Sequence, residues 1–247
     1  MSTDTKQVAD RGEQAGTARQ EKVARWEDCV DIFLSPAALF RRRAQDRVGP
    51  PLAMLLVLAV AVHLALIPAN AMVMRAAVAT DPRAAEMLSS FGTLMQVLGA
   101  IFVPIQYLLA IVGAAILLWI GGRMAEVPVE FSRAVLIAVY AAFVQPLSEV
   151  VTALLVVLHG EAGLDIVRHG SLGVLRFLGS RDVDPLLLPL LDRLEIFAIW
   201  QACLWAVGLA VLYGTGRVRA AVVAAVAWAL SSVPGIAGAL IGMAAGR

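Results

Sequence analysis

Polar and apolar positions divide the chain into three unequal parts. Residues 1–25 are polar and mixed in charge, with no aromatic before Trp26. Such a segment buries too little apolar surface to offset its chain entropy, and it is expected to be a disordered tail. Over residues 26–48 apolar positions recur at helical spacing: Val30, Phe33, Leu34 and Ala37, then Leu39, Phe40 and Ala44. Ser35-Pro36 interrupts them as an N-cap followed by proline at the first helical position. This predicts two short amphipathic helices lying in the membrane interface. Beyond Gly49 five long apolar runs follow, at 52–74, 94–120, 134–158, 196–213 and 220–243. A helix rising about 1.5 Å per residue needs roughly 20 residues to cross ~30 Å of hydrocarbon, so each run meets or approaches a span. The predicted fold class is all-α, with a five-helix transmembrane domain over 49–247 preceded by the interfacial segment.

Breakers and charges refine the boundaries. Asp81-Pro82 and Gly121-Gly122 are expected to end helices, and Tyr213-Gly214-Thr215-Gly216 to form a tight turn. Asp192 and Glu195 have capping-box spacing and place a helix start before the fourth span. The short run 185–191, with two prolines, is expected to rest on the bilayer surface. No cleavable leader is expected within residues 1–49. Arg41, Arg42, Arg43 and Arg47 cluster directly before the first span, which places the N-terminus in the cytoplasm and the C-terminus outside. The same arginines would face anionic headgroups, with Phe33 and Phe40 dipping into the interface.

Composition narrows the functional classes. The chain is 60% apolar and 16% charged with net charge +1, which excludes a basic nucleic-acid binder and an acidic solvating chain. Its two cysteines, Cys29 and Cys203, cannot form a disulfide framework. The motifs of zinc proteases, serine nucleophile elbows and phosphate loops are missing, so neither enzyme activity nor a cofactor is expected. His159, Glu161, Asp165 and His169 could assemble metal ligands in the outer loop, but such sets arise often in loops by chance, and no metal site is expected.

Polar residues inside the spans are the more informative chemistry. Glu149 falls near the middle of the third run, three residues after Pro146, where an isolated charge costs about 2.5 kcal/mol or more. It is either a proton or cation site or a carboxyl bonded to a neighbouring helix. His63, Gln106 and Gln145 are candidate partners at similar depth, the two glutamines lying beside Pro104 and Pro146. Gly238, Gly242 and Gly246 put small residues on one face of the last span, for close packing against another helix of the chain or a second protomer. Trp119, Trp200, Trp205 and Tyr213 are expected in interfacial belts.

Several of these segments carry a resemblance. Ile32-Phe33-Leu34-Ser35-Pro36 through Phe40 precedes the first span, and Phe131-Ser132-Arg133-Ala134 with Tyr140-Ala141-Ala142-Phe143-Val144-Gln145-Pro146 marks the third. Leu194-Glu195-Ile196-Phe197-Ala198-Ile199-Trp200-Gln201 opens the fourth, and Arg219-Ala220-Ala221 with Trp228 marks the fifth. In order and spacing these resemble bacterial members of the YIP1 family over residues 26–240. The resemblance implies a five-span protein of the bacterial cytoplasmic membrane. Eukaryotic relatives contact Rab-type GTPases through an acidic Asp-Leu-Tyr-Gly-Pro motif, which this chain lacks at Asp31–Pro36, so GTPase binding is not implied. The expected function is that of a non-enzymatic scaffold or adaptor that organises membrane partners or forms homo-oligomers. The alternative is a small transporter or channel with a polar path around Glu149.

Overall fold

The computed structural model describes residues 26–78, 82–159, 172–178, 183–184 and 186–245. The expected tail, Glu161, Asp165, His169 and Gly246 fall outside them. The described residues form helices α1 (Asp28–Leu34), α2 (Pro36–Arg43), α3 (Gly49–Ala65), α4 (Ile67–Val78), α5 (Pro82–Met124) and α6 (Phe131–Ala141). After these come α7 (Val144–His159), α8 (Leu188–Asp192), α9 (Ile196–Tyr213), α10 (Arg217–Leu230) and α11 (Val233–Ala245). Four stretches are long and apolar enough to cross a membrane: Gln96–Met124, Phe131–Leu158, Ile196–Tyr213 and Arg217–Ala244. A fifth, Gly49–Ala65 with Ile67–Arg75, is bent by 57°. The protein is therefore an all-α, multi-pass membrane bundle.

Proline explains most of the breaks. It lacks an N–H, and its ring clashes with the carbonyl four residues earlier. Pro68 stands just past the bend at Leu66, so the expected first span is two helices meeting at an angle. Pro146 and Pro234 follow the interruptions at Ala142–Phe143 and Ser231–Ser232 in the same way. At the latter, Ser231 Oγ donates to the Trp228 carbonyl and Ser232 Oγ to that of Ala229, each at 2.6 Å, and the Ala229 carbonyl also accepts the Ser232 N–H at 3.2 Å. Pro104, by contrast, lies inside the unbroken 43-residue α5.

Gly121-Gly122 does not end α5, contrary to expectation. A Cβ on Gly122 would collide with the side chain of Val129, and one on Gly121 would meet Val223 Cγ1 at 3.2 Å. The pair thus lets the following loop and α10 lie against the helix. Gly214 does make the expected turn, at φ 58°.

α6 and α9 form the centre. Leu136, Ile137, Val139 and Tyr140 of α6 are buried on all sides, as are Leu204 and Leu209 of α9. Trp205 is buried among them and does not join an interfacial belt. Lipid tails are as apolar as these side chains, so packing closeness and hydrogen bonds hold the helices together more than exclusion of water does.

The α1–α2 hairpin departs most from expectation. Phe33 sits edge-on to Trp200, with centroids 5.3 Å apart, and Phe40 sits edge-on to Tyr140 at 6.1 Å. Phe40 also reaches Gly208, where an added Cβ would lie 3.2 Å from its Cζ. The hairpin therefore stands lengthwise along α9 between Trp200 and Gly208. Phe40 and Leu39 are fully buried, because a spanning helix offers them a closer-packed surface than loose headgroups do.

At the open end of the hairpin, Asp28 accepts from Arg42 Nη2 at 2.7 Å and from Arg43 Nη2 at 3.0 Å. Arg43 Nη1 donates to Asp46 at 2.8 Å, and Arg42 also pairs with Asp31 at 2.6 Å. Arg43, expected at headgroups, is instead buried, since Asp28 and Asp46 together satisfy its charge. Burial pulls its guanidinium down, and the two carboxylates more than offset this. The carboxylates of Asp31 and Asp28 raise Arg42. Arg41 and Arg42 remain exposed.

Before the fourth span the expected capping box is absent. Glu195 is itself the N-cap of α9 and makes no capping bond, and Asp192 closes α8. The Glu195 carboxyl takes the Leu172 backbone N–H instead, while burial and the nearby Asp192 push it above the usual carboxylate range. The folded state therefore holds this proton more tightly than the unfolded chain does. Stability should fall as pH rises from the ordinary glutamate value through the raised one. In a series of thermal melts across that window, Glu195→Gln should flatten this slope. An unchanged slope would assign it to other groups.

Candidate functional site in the membrane

A cavity of about 880 Å³ lies between α5, α7, α9 and the α10–α11 break. Its polar lining comes from Gln106, Tyr107, Gln145, Glu149, Arg193, Gln201 and Ser231. The Tyr107 hydroxyl donates to Glu149 Oε1 at 2.9 Å, and Gln145 Nε2 donates to Gln201 Oε1 at 3.5 Å. Arg193 Nη2 donates to the Ser231 carbonyl at 3.1 Å, at the helix break. The rest of the lining is apolar. Leu109, Leu230 and Val233 are also among the exposed apolar residues, at 69%, 46% and 52%. Because they belong to spanning helices, the cavity opens sideways, as a cleft.

Helix registers set the heights of these groups. The Glu130 N–H donates to the Tyr213 hydroxyl at 3.0 Å, and Gly122 packs against Val129, so one end of α5, α6 and α9 shares a level. Arg133 Nη2 donates to Gln45 at 3.0 Å, which puts the open end of the hairpin near that level too. At about 1.5 Å per residue, Ile116 and Leu117 stand ~8–10 Å above it, Gln145, Gln201 and Tyr107 ~18–23 Å, and Glu149 and Arg193 ~28–30 Å. The cleft is thus apolar below and polar above. Glu149 is the nineteenth of the 28 residues of its span, Phe131–Leu158, so nine residues of that span, about 14 Å at helical rise, lie beyond it.

Three of the four polar residues singled out in the sequence, Gln106, Gln145 and Glu149, share this cleft. His63 is not among its lining residues; its Nε2 donates to the Gln96 carbonyl at 3.3 Å, tying α3 to α5 over Gly99. Tyr107, Gln201 and Arg193 were not singled out. Tyr107 is a tyrosine deep within a span and away from the belts, and Gln201 is a lone amide in a run. Those are the signals the sequence carries for them, whereas Arg193 lies outside the apolar runs and has none. Gly238 and Gly242 are exposed, and a Cβ on either would meet nothing within 4 Å. Among the described residues, no other helix packs against them. Among the described residues no group of three or more His, Cys, Asp or Glu could hold a metal ion.

A family model described as the Yip1 domain matches residues 30–238. No curated protein and no solved structure matches the chain. The match takes in the hairpin from Val30, every candidate span but the end of the last, and the whole lining of the cleft. With a multi-pass helical bundle under a family match of that extent, the chain belongs to the YIP1 family.

Proposed function

We propose that this protein is a non-enzymatic scaffold or adaptor that holds other membrane proteins against its α1–α2 hairpin. The observation that carries this reading is the division of the hairpin into two faces. One face is locked onto α9 by Phe33 and Phe40 and clasped by Asp28 and Arg43. The other bears Trp26, Val30 and Leu34, four residues apart on one stripe and 74%, 45% and 77% exposed. A helix face of large apolar residues on a fixed support suits a partner's transmembrane helix, since little ordering is left to do on docking. The open faces of Gly238 and Gly242 add a second surface of the kind that admits close helix approach, from a partner or a second copy. We place the hairpin at the cytoplasmic side of a bacterial inner membrane, with Arg41, Arg42 and Arg47 toward anionic headgroups.

The test is quantitative. The tagged protein is purified from native membranes in gentle detergent, and co-purifying proteins are measured against it by mass spectrometry. A stoichiometric partner should fall at least fivefold with Trp26→Ala/Leu34→Asp, while the variant's own melting midpoint stays near wild type. Partner recovery that is indifferent to this stripe and to Gly238→Leu/Gly242→Leu would sink the proposal.

A further inference from the structure

We infer that the cleft is a binding site for one phospholipid, which enters sideways from the leaflet away from the hairpin. The inference does not depend on the scaffold reading. Its first support is the vertical order of the lining. Ile116 and Leu117 line the lower end, and Arg193, just outside the first residue of α9, lines the upper one. Such an order matches an amphiphile standing in a leaflet, acyl chain inward and headgroup outward. A water-soluble ligand would have no use for an apolar lower half facing hydrocarbon.

The second support is the opening. Leu109, Leu230 and Val233 edge the cleft on spanning helices, so the solvent it meets there is lipid. The third is charge. Arg193 precedes the first residue of α9 and so lies at the boundary where phosphates sit. Its Nη2 donates to the Ser231 carbonyl, and among the described residues it forms no ion pair. The remaining guanidinium donors suit a phosphate oxygen. Glu149 would repel a phosphate brought close to it. One of its oxygens accepts from Tyr107, which holds the carboxyl toward α5. The cavity volume, about 880 Å³, is within the ~300–1,000 Å³ common for small-molecule sites and admits one chain rather than a patch of bilayer.

Gly113 supplies a clean test. It lines the cleft, yet an added Cβ would meet nothing within 4 Å, so a larger side chain there fills the space without displacing the fold. The full chain is reconstituted in nanodiscs containing phosphatidylglycerol with a photoreactive acyl chain, and cross-linked residues are mapped. Labelling should concentrate on Ile116, Leu117 and Ala142 and fall at least fivefold with Gly113→Phe. Arg193→Gln should reduce labelling by phosphatidylglycerol severalfold, with rescue by Arg193→Lys, and leave labelling by a photoreactive diacylglycerol unchanged. Labelling that ignores Gly113→Phe would mean ordinary annular lipid and overturn the site. An equal effect of Arg193→Gln on both lipids would remove the phosphate assignment. Cross-links from a photoreactive residue at position 113 to another polypeptide, and none to lipid, would make the cleft a protein interface and refute the inference.

Discussion

Asp28→Ala should lower stability by about 3–5 kcal/mol, the range for removing one member of a buried ion pair. Asp28 is 0% exposed and Arg43 2%, and the two lie 3.0 Å apart. Without Asp28, the Arg43 guanidinium keeps Asp46 but loses the carboxylate that meets its second amino group in a site closed to water. Arg42 makes the contrast. It touches the same carboxylate but is 48% exposed, so Arg42→Ala should cost no more than ~1 kcal/mol. Thermal melts of the protein in nanodiscs would compare the two variants directly. Hydrogen exchange should show α1 and α2 losing protection together in Asp28→Ala. Equal, small effects from both substitutions would show that the cluster is solvated and that the hairpin is held by apolar contacts alone.

Phe40→Ala should be nearly as damaging, toward the lower end of the ~3–5 kcal/mol seen for buried aromatic truncations. The ring is fully buried against Tyr140 and Gly208, so truncation leaves a void between hairpin and bundle. The lower end applies because neighbouring lipid can solvate part of the exposed apolar surface, which removes some of the transfer cost. Gly208 tests the same contact from the other side. A Cβ there would lie 2.9 Å from both γ-carbons of Ile137, so Gly208→Ala should cost ~1–3 kcal/mol by overpacking. In an Ile137→Ala background the same substitution should cost less than it does in wild type, and melts of the double-mutant cycle would measure the difference. Strict additivity would contradict the packing described. Phe33→Ala should be milder, since that ring is only half-buried.

Each span and each break depends on a different range of interaction, which is why some were legible in sequence. Membrane-crossing stretches need only an unbroken apolar run, a local property, and the structure recovers spans close to the runs at 94–120, 134–158, 196–213 and 220–243. The turn at Gly214 was legible for the same reason, because φ > 0 favours glycine whatever surrounds it. The prolines were visible, but their outcomes were not. Pro146 and Pro234 follow breaks, Pro68 a sharp bend, and Pro104 sits inside a continuous helix. The residue type alone is the same in all four, so the outcome was set by the surrounding structure.

The cleft shows the same division. Glu149, Gln106 and Gln145 stand out in sequence because polar groups in an apolar run are costly. Their partners Tyr107 and Gln201 come from helices distant along the chain, and only the tertiary fold, which sets α5 across the cleft from α7 and packs α7 on α9, brings them within reach. Amphipathic spacing in residues 26–48 correctly marked two short helices, and Phe33 and Phe40 as part of an apolar face. It could not say whether that face meets headgroups or protein, since both are apolar enough to receive Phe33 and Phe40. Periodicity and hydrophobicity along the chain thus determined which stretches are helical and which are apolar and long enough to cross a bilayer. The tertiary structure decided which side chains face inward, because in a membrane lipid and protein interior are equally apolar, and only close packing and hydrogen bonds tell them apart.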